Sequence, residues 1–182
     1  MSSAPSGSWW STVARRIAAD LVEFSEPGRT AAHLTPGSGL SASDGLLEEY
    51  DQRILDVDLR AASRSRFVSS HYADAVEAGV KALNECVRMK SGRTEDGDAL
   101  MTVAFSPNAP LLKINKGRTK SDESEQRGHM QLCQGVVGAW RNPRAHFLVD
   151  DSPSRALMML ETIDALMTTT KSATRTRRRR KP

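Results

Sequence analysis

Arg141, Asn142 and His146 lie within six residues of one another, in the string GAWRNPRAHF that spans residues 138–147. Each side chain brings a different chemistry. An imidazole titrates near neutral pH and can take or give a proton. A guanidinium stays charged and can bind a phosphate with two parallel donors. An amide can orient either group. Together they suit phosphodiester cleavage in RNA. A base removes the 2′-hydroxyl proton, and a cation stabilises the charge that builds on the phosphoryl oxygens. No carboxylate cluster accompanies them, so neither a metal nor a cofactor is expected.

That chemistry requires the side chains to meet. In an ideal helix, residues five apart are separated by about 140° beyond a full turn, which sends Arg141 and His146 to nearly opposite sides. Pro143 cannot donate to the helix ladder and biases Asn142 away from the α conformation. The expectation is therefore a break. Asn142 caps a new helical turn with Pro143 at its first position, and His146 sits near the positive end of that turn, where a neutral imidazole is favoured. The same residues also fit a structural role, with Arg141 in a salt bridge, Asn142 and Pro143 shaping a helix, and His146 on the surface.

The elements around this segment read as helices. With 182 residues, 38% of them hydrophobic and 5% aromatic, the chain can build one domain on an aliphatic core. Residues 9–24 carry Trp10, Val13, Ile17, Leu21 and Phe24 at helical spacing, and the Gly-, Pro- and Ser-rich residues 25–44 read as a linker. Ser43 or Asp44 would cap a helical region in which Leu47, Tyr50, Ile54, Val57 and Arg60 keep helical period. Ser69 or Ser70 would cap the next helix, whose inner face is Tyr72, Ala75, Val76, Gly79, Val80, Leu83 and Val87, with Gly92 as its stop. Residues 98–105 form a short helix and LLKINKG a brief extended segment. A helix from about Ser121 to Trp140 contains Gly128, Gly135 and Gly138, which suggest close helix–helix approach. The last helix starts at Ser152 and Pro153 and buries Leu157, Leu160, Ile163, Leu166 and Met167. The architecture expected is all-α: a bundle of four or more helices over residues 46–170, preceded by an N-terminal helix and linker over residues 1–45.

Charge is uneven. The net charge is +4, yet residues 171–182 alone contribute +7, so residues 1–170 carry +4 − 7 = −3. This basic tail reads as a disordered arm for a polyanion, with RNA as the partner. Arg175, Arg177, Arg178, Arg179, Arg180 and Lys181 are its expected RNA-binding residues, and Arg144 is expected to join them. The alternative is a solubilising terminus. Cys86 and Cys133 form no CxxC pair, and His33, His71, His129 and His146 show no metal-ligand spacing. No secretory signal or membrane span is evident, so a cytoplasmic protein without a membrane partner is expected.

RNPRAH also resembles the R-N-x-x-x-H signature of HEPN domains, small helical proteins that include RNA-cleaving toxins. HYADAVEAGVKALNECVRMKSG, DGDALMTVAFSPNAPLLKIN and EQRGHMQLCQGVVGAWRNPRAH are similar, block by block, to the Ymh-type branch found in bacteria and phage-defence loci. The resemblance covers about residues 67–168. It implies a HEPN-like helical bundle that pairs as a homodimer, with Arg and His from both subunits cutting RNA without metal. Arg141, Asn142 and His146 are the positions that carry over as catalytic. It leaves open an antitoxin or defence-system partner, and equally a non-catalytic HEPN module that binds nucleic acid or protein. Leu148 stands where some members have a modified Tyr, so that regulation is not implied. Asp74 and Glu77 read as a solvated face, and His71 and Tyr72 as capping and packing residues.

Overall fold

A computed structural model describes residues 42–146 and 149–176 of the chain. These belong to one compact unit, and the expected N-terminal helix lies outside the described residues. The described part is all-α apart from one two-stranded ribbon. In order, it runs α1 (Ala42–Arg53), α2 (Val57–Val68), α3 (Tyr72–Ser91), α4 (Gly97–Phe105), β1 (Leu112–Lys113), α5 (Lys120–Val136), a π-helical turn (Val137–Arg141), α6 (Asn142–His146), α7 (Pro153–Ser172) and β2 (Thr174–Arg175).

α3 is the centre of the bundle and packs against α2 and α7. Its inner face, Ala75, Val76, Gly79, Val80, Leu83 and Val87, is buried as the helical spacing predicts. Gly79 marks the closest approach. A Cβ there would lie 2.9 Å from Leu160 Cδ2, 3.1 Å from Leu59 Cδ1 and 3.3 Å from Ile163 Cδ1, so three helices meet over one missing methyl. α7 contributes the expected Leu157, Leu160, Ile163, Leu166 and Met167, all buried. Burying an aliphatic side chain of this size is worth about 1.5–3 kcal/mol, and this shared face is where the fold gains most. Gly92, at φ 68°, ends α3 in the left-handed conformation that favours glycine.

Several boundaries differ from the sequence expectation. The region after Asp44 is two helices, not one. Asp56 caps α2, its Oδ1 accepting from the amides of Asp58 (3.0 Å) and Leu59 (3.2 Å). Asp164 of α7 accepts from the amides of Leu55 (2.8 Å) and Asp56 (2.7 Å), so a buried carboxylate satisfies the break. The turn resets the register: Tyr50 and Ile54 are buried, Val57 is exposed, and the inner face continues as Leu59, Ser63 and Phe67. Neither Ser69 nor Ser70 caps α3. Ser70 has φ 61°, and backbone bonds from Ser70 to Phe67 (3.0 Å) and from His71 to Arg66 (2.9 Å) close α2 instead.

α5 starts in a capping box: Thr119 Oγ1 accepts from the Asp122 amide at 3.0 Å, and Asp122 Oδ2 accepts from the Thr119 amide at 3.3 Å. Its glycines do not serve close packing. A Cβ at Gly128, Gly135 or Gly138 would meet nothing within 4 Å. The start of the basic tail is ordered, against expectation. Lys171 belongs to α7 and pairs with Asp56 at 2.7 Å and Asp58 at 2.6 Å. β2 then pairs antiparallel with β1, Leu112 opposite Arg175 and Lys113 opposite Thr174. The buried Gln126 of α5 fixes β1, donating to the carbonyls of Phe105 and Leu112 at 3.0 Å each and accepting from Ile114 N at 3.1 Å.

Candidate active site

The segment that carries Arg141 is a widened turn inside a continuous helix. A proline in a regular α-helix collides with the carbonyl four residues before it and lacks the N–H that would bond there. Here the Asn142 amide reaches back five residues, to Val137 O, and the π turn admits Pro143 without ending the helix. Asn142 has φ −60° and ψ −45°, so it is helical and does not cap a new turn. The expected break is therefore corrected. Residues 120–146 form one run of helix, and His146 is placed by its backbone at that run's C-terminal end, where the helix field has the opposite sign to the one expected. The imidazole of His146 lies outside the described atoms.

Arg141, on the last residue of the π turn, faces the start of α4. Its Nη1 donates to Asp96 Oδ2 at 2.8 Å, and its side chain keeps 24% exposure. Asp96 is held in place from behind. Asn84 of α3, 3% exposed, donates through Nδ2 to Asp96 Oδ1 at 2.5 Å and accepts from the Gly97 amide at 3.0 Å. Arg88 Nη2 donates to the same Oδ1 at 3.1 Å. Gly97, at φ 57°, gives the backbone the turn this arrangement needs. The Arg141 guanidinium keeps the Asp96 carboxyl below its usual range, which preserves the pair at neutral pH. The site thus has a cation anchored through one nitrogen, with the rest of its donor fork at a partly open edge.

Arg144, expected to bind RNA, points the other way. Its side chain is 4% exposed and pairs with Asp151, whose side chain is fully buried. Nε reaches Asp151 Oδ2 at 2.9 Å, Nη1 reaches the Trp140 carbonyl at 2.8 Å, and Nη2 contacts Met159 Sδ at 3.4 Å. It ties the π turn to α7 and offers no surface to RNA. Arg175 lies exposed on β2, with its guanidinium where a Cβ of Gly92 would otherwise sit. Arg177, Arg178, Arg179, Arg180 and Lys181 lie outside the described residues. His71 is exposed and makes no capping bond, while Tyr72 packs its ring edge against Phe67 at 5.1 Å. Asp74 is exposed, and Glu77 pairs with Lys81 at 2.7 Å.

Asn84 and Asp96 are the residues that motif spacing missed. A buried Asn on the apolar stripe of α3 was the available signal, because a buried amide must be hydrogen-bonded. Another buried polar group, His129, belongs to the core. It stacks edge-on against Phe105 and sits 3.6 Å from Cys133 Sγ and 3.5 Å from Thr170 Oγ1. Burial pushes its imidazole down to about 4. Among the described residues no three His, Cys, Asp or Glu side chains group to hold a metal, and no helix is long and apolar enough to cross a membrane.

A family model described as a protein of unknown function (Hypoth_ymh) matches residues 53–169. It spans α2 to α7 and takes in Asn84, Asp96, Arg141 and His146. Neither the curated proteins nor the solved structures contain a match.

Proposed function

The chain belongs to the Ymh family of proteins of unknown function, and on that premise we propose that it is a HEPN-type endoribonuclease that cuts RNA without a metal. One observation carries this: Arg141, five residues before His146 in one helical run, is anchored by Asp96 through one nitrogen and partly open to solvent. In the reaction, a His146 imidazole takes the 2′-hydroxyl proton. The 2′-oxygen attacks phosphorus, and the 5′-oxygen leaves with a proton from an imidazolium. The products are a 2′,3′-cyclic phosphate and a 5′-hydroxyl. Arg141 stabilises the charge on the non-bridging oxygens. One chain has one such histidine, so acid and base require two copies, and a two-fold homodimer supplies them. An antitoxin or defence-system partner, acting in the cytoplasm, fits the same reading.

The Arg141–Asp96 pair also supports a second reading, a non-cleaving module in which Arg141 is structural. Incubating the purified full chain with single-stranded RNA in EDTA decides between them. Cleavage to cyclic phosphate ends is expected, with a loss of about 10²–10⁴ in rate for His146→Ala. Full cleavage by His146→Ala, or strict dependence on a divalent ion, overturns the first reading.

A further inference from the structure

The described cations fall into two groups. Arg53, Arg60, Arg64, Lys81, Arg88 and Arg93 each sit within ion-pair distance of a carboxylate, as do Arg141, Arg144, Arg155 and Lys171. Their charge is spent inside the molecule. Lys113, Lys116, Arg118, Lys120, Arg127 and Arg175 are different: all six are exposed, and none makes an ion pair with a described residue. Elsewhere among the described residues only Arg66 and Lys90 lack a carboxylate partner, and each donates to a backbone carbonyl, Ala62 O and Lys171 O respectively.

Five of the unpaired six follow one another along the chain between residues 113 and 127. Lys113 on β1 lies opposite Thr174, whereas Arg175 lies opposite the buried Leu112, so these two leave the ribbon on opposite faces. Lys116, Arg118 and Lys120 follow β1 directly into the first turn of α5. Lys120 and Arg127 are seven residues apart, which places them on one face about 10 Å along the helix axis. The adjacent acids are hydrogen-bonded but stay charged and offset part of this surface: Asp122 accepts from the amides of Arg118 and Thr119, which hold its carboxyl below its usual range, and Glu125 accepts from Asn115 Nδ2 at 3.0 Å. Glu123 is the exposed exception. Along α5, Gln134 lies one seven-residue step beyond Arg127, its Nε2 donating to Thr102 Oγ1 of α4 at 2.9 Å, and the π turn then rotates Arg141 off this face. Across the ribbon, the Arg175 guanidinium covers Gly92, four residues before Asp96. Thr176, bonded to Leu111 O at 2.8 Å, is followed in the chain by the five cations Arg177 to Lys181.

We infer that the loop 113–120 and the basic face of α5 form a binding track for the phosphate backbone of RNA. The identity of the polyanion rests on the proposed function. None of the six residues is aromatic and none is flanked by an exposed aromatic, so the track holds phosphates without stacking bases. Its binding is salt-sensitive and independent of sequence.

The test uses the full chain and a fluorescent single-stranded RNA oligonucleotide with 2′-O-methyl groups, which binds but cannot be cut by 2′-oxygen attack. Affinity is measured against salt by anisotropy. The variant Lys116→Ala/Arg118→Ala/Lys120→Ala/Arg127→Ala changes only exposed side chains, and each lost phosphate contact should flatten the log–log salt slope by about 0.7. Glu123→Gln should tighten binding. Gly135 provides a control, since its Cβ has open space: Gly135→Glu should weaken binding and Gly135→Gln should not. An unchanged slope in the quadruple variant, no binding by the unaltered chain at low salt, or equal losses in Gly135→Glu and Gly135→Gln each overturns the track. A flattened slope with no cleavage of unmodified RNA keeps the track and removes the nuclease. An unchanged slope with cleavage intact does the reverse.

Discussion

Arg141 and Arg144 are three residues apart on one helical run, yet the structure uses them in opposite ways. Arg144 is 4% exposed against a fully buried Asp151, while Arg141 is 24% exposed against an Asp96 that is half exposed. The first pair has no water to fall back on. The second shares its carboxylate with the buried Asn84 and with Arg88, and solvent can replace the bonds from the two partly exposed arginines. The same ion-pair chemistry is therefore structural at one site and adjustable at the other. The burial of the partner decides which, and the arginine itself does not.

The largest effect should follow from breaking the buried side of that comparison. Removing Asp151 leaves Arg144 charged and dry, and removing Arg144 leaves the buried Asp151 with only the exposed Arg155, 3.6 Å away; breaking a buried pair in this way costs about 3–5 kcal/mol. Arg144→Ala and Asp151→Ala should each lower the melting temperature sharply. Replacing both at once, Arg144→Met with Asp151→Leu, should recover most of the loss, because two apolar groups leave no orphaned charge. If the double variant is as unstable as either single one, then the hydrogen bond from Arg144 to the Trp140 carbonyl, not the ion pair, holds the π turn.

A second difference between dry and wet groups appears with pH. His129 is buried with its imidazole down at about 4, while an unfolded chain binds that proton near 6.5. The unfolded state thus takes up a proton that the native state refuses. Stability falls as pH drops from about 6.5 toward 4, by up to about 3 kcal/mol at roughly 1.4 kcal/mol per pH unit. Asp96 is held below its usual range by Arg141, so that pair persists while His129 titrates. Chemical denaturation across this window should show the decline, and His129→Leu should flatten it. A decline that survives His129→Leu would place the acid sensitivity elsewhere.

These contrasts mark what the sequence could and could not disclose. The inner faces of α3 and α7 were legible because aliphatic residues recurring with a 3.6-residue period form a stripe only when the chain is helical. The αL stop at Gly92 was legible because glycine there has a backbone reason. The break between α1 and α2 was not, since no Gly or Pro marks it and its orphan amides are satisfied by Asp164, more than a hundred residues away. Pro143 was a clear signal with the wrong consequence, because the π turn let the helix absorb it. Arg144 and Arg141 look alike in the string RNPRAH. Only Asp151 and Asp96, brought in by the fold, tell them apart.

The smallest stability effect belongs to the open side. A partly exposed ion pair is typically worth about 0–1 kcal/mol, so Arg141→Ala should shift the melting temperature little. Its consequence for RNA should be large if the proposed function holds. A guanidinium aimed at developing charge is worth about 10²–10³ in rate, so cleavage should fall by that factor while the fold persists. Asp96→Asn then tests the anchor. The amide has one carbonyl where Asp96 offers Oδ2 to Arg141 and Oδ1 to Asn84 and Arg88, so the variant loses charge and one acceptor together. A rate near that of the unaltered chain means that neither is needed to hold the fork, and a rate that falls with that of Arg141→Ala means that the two-sided carboxylate is what positions Arg141. If Arg141→Ala instead costs as much stability as Arg144→Ala, the two arginines are equivalent structural residues, and the distinction drawn between the two sides of this helix is lost.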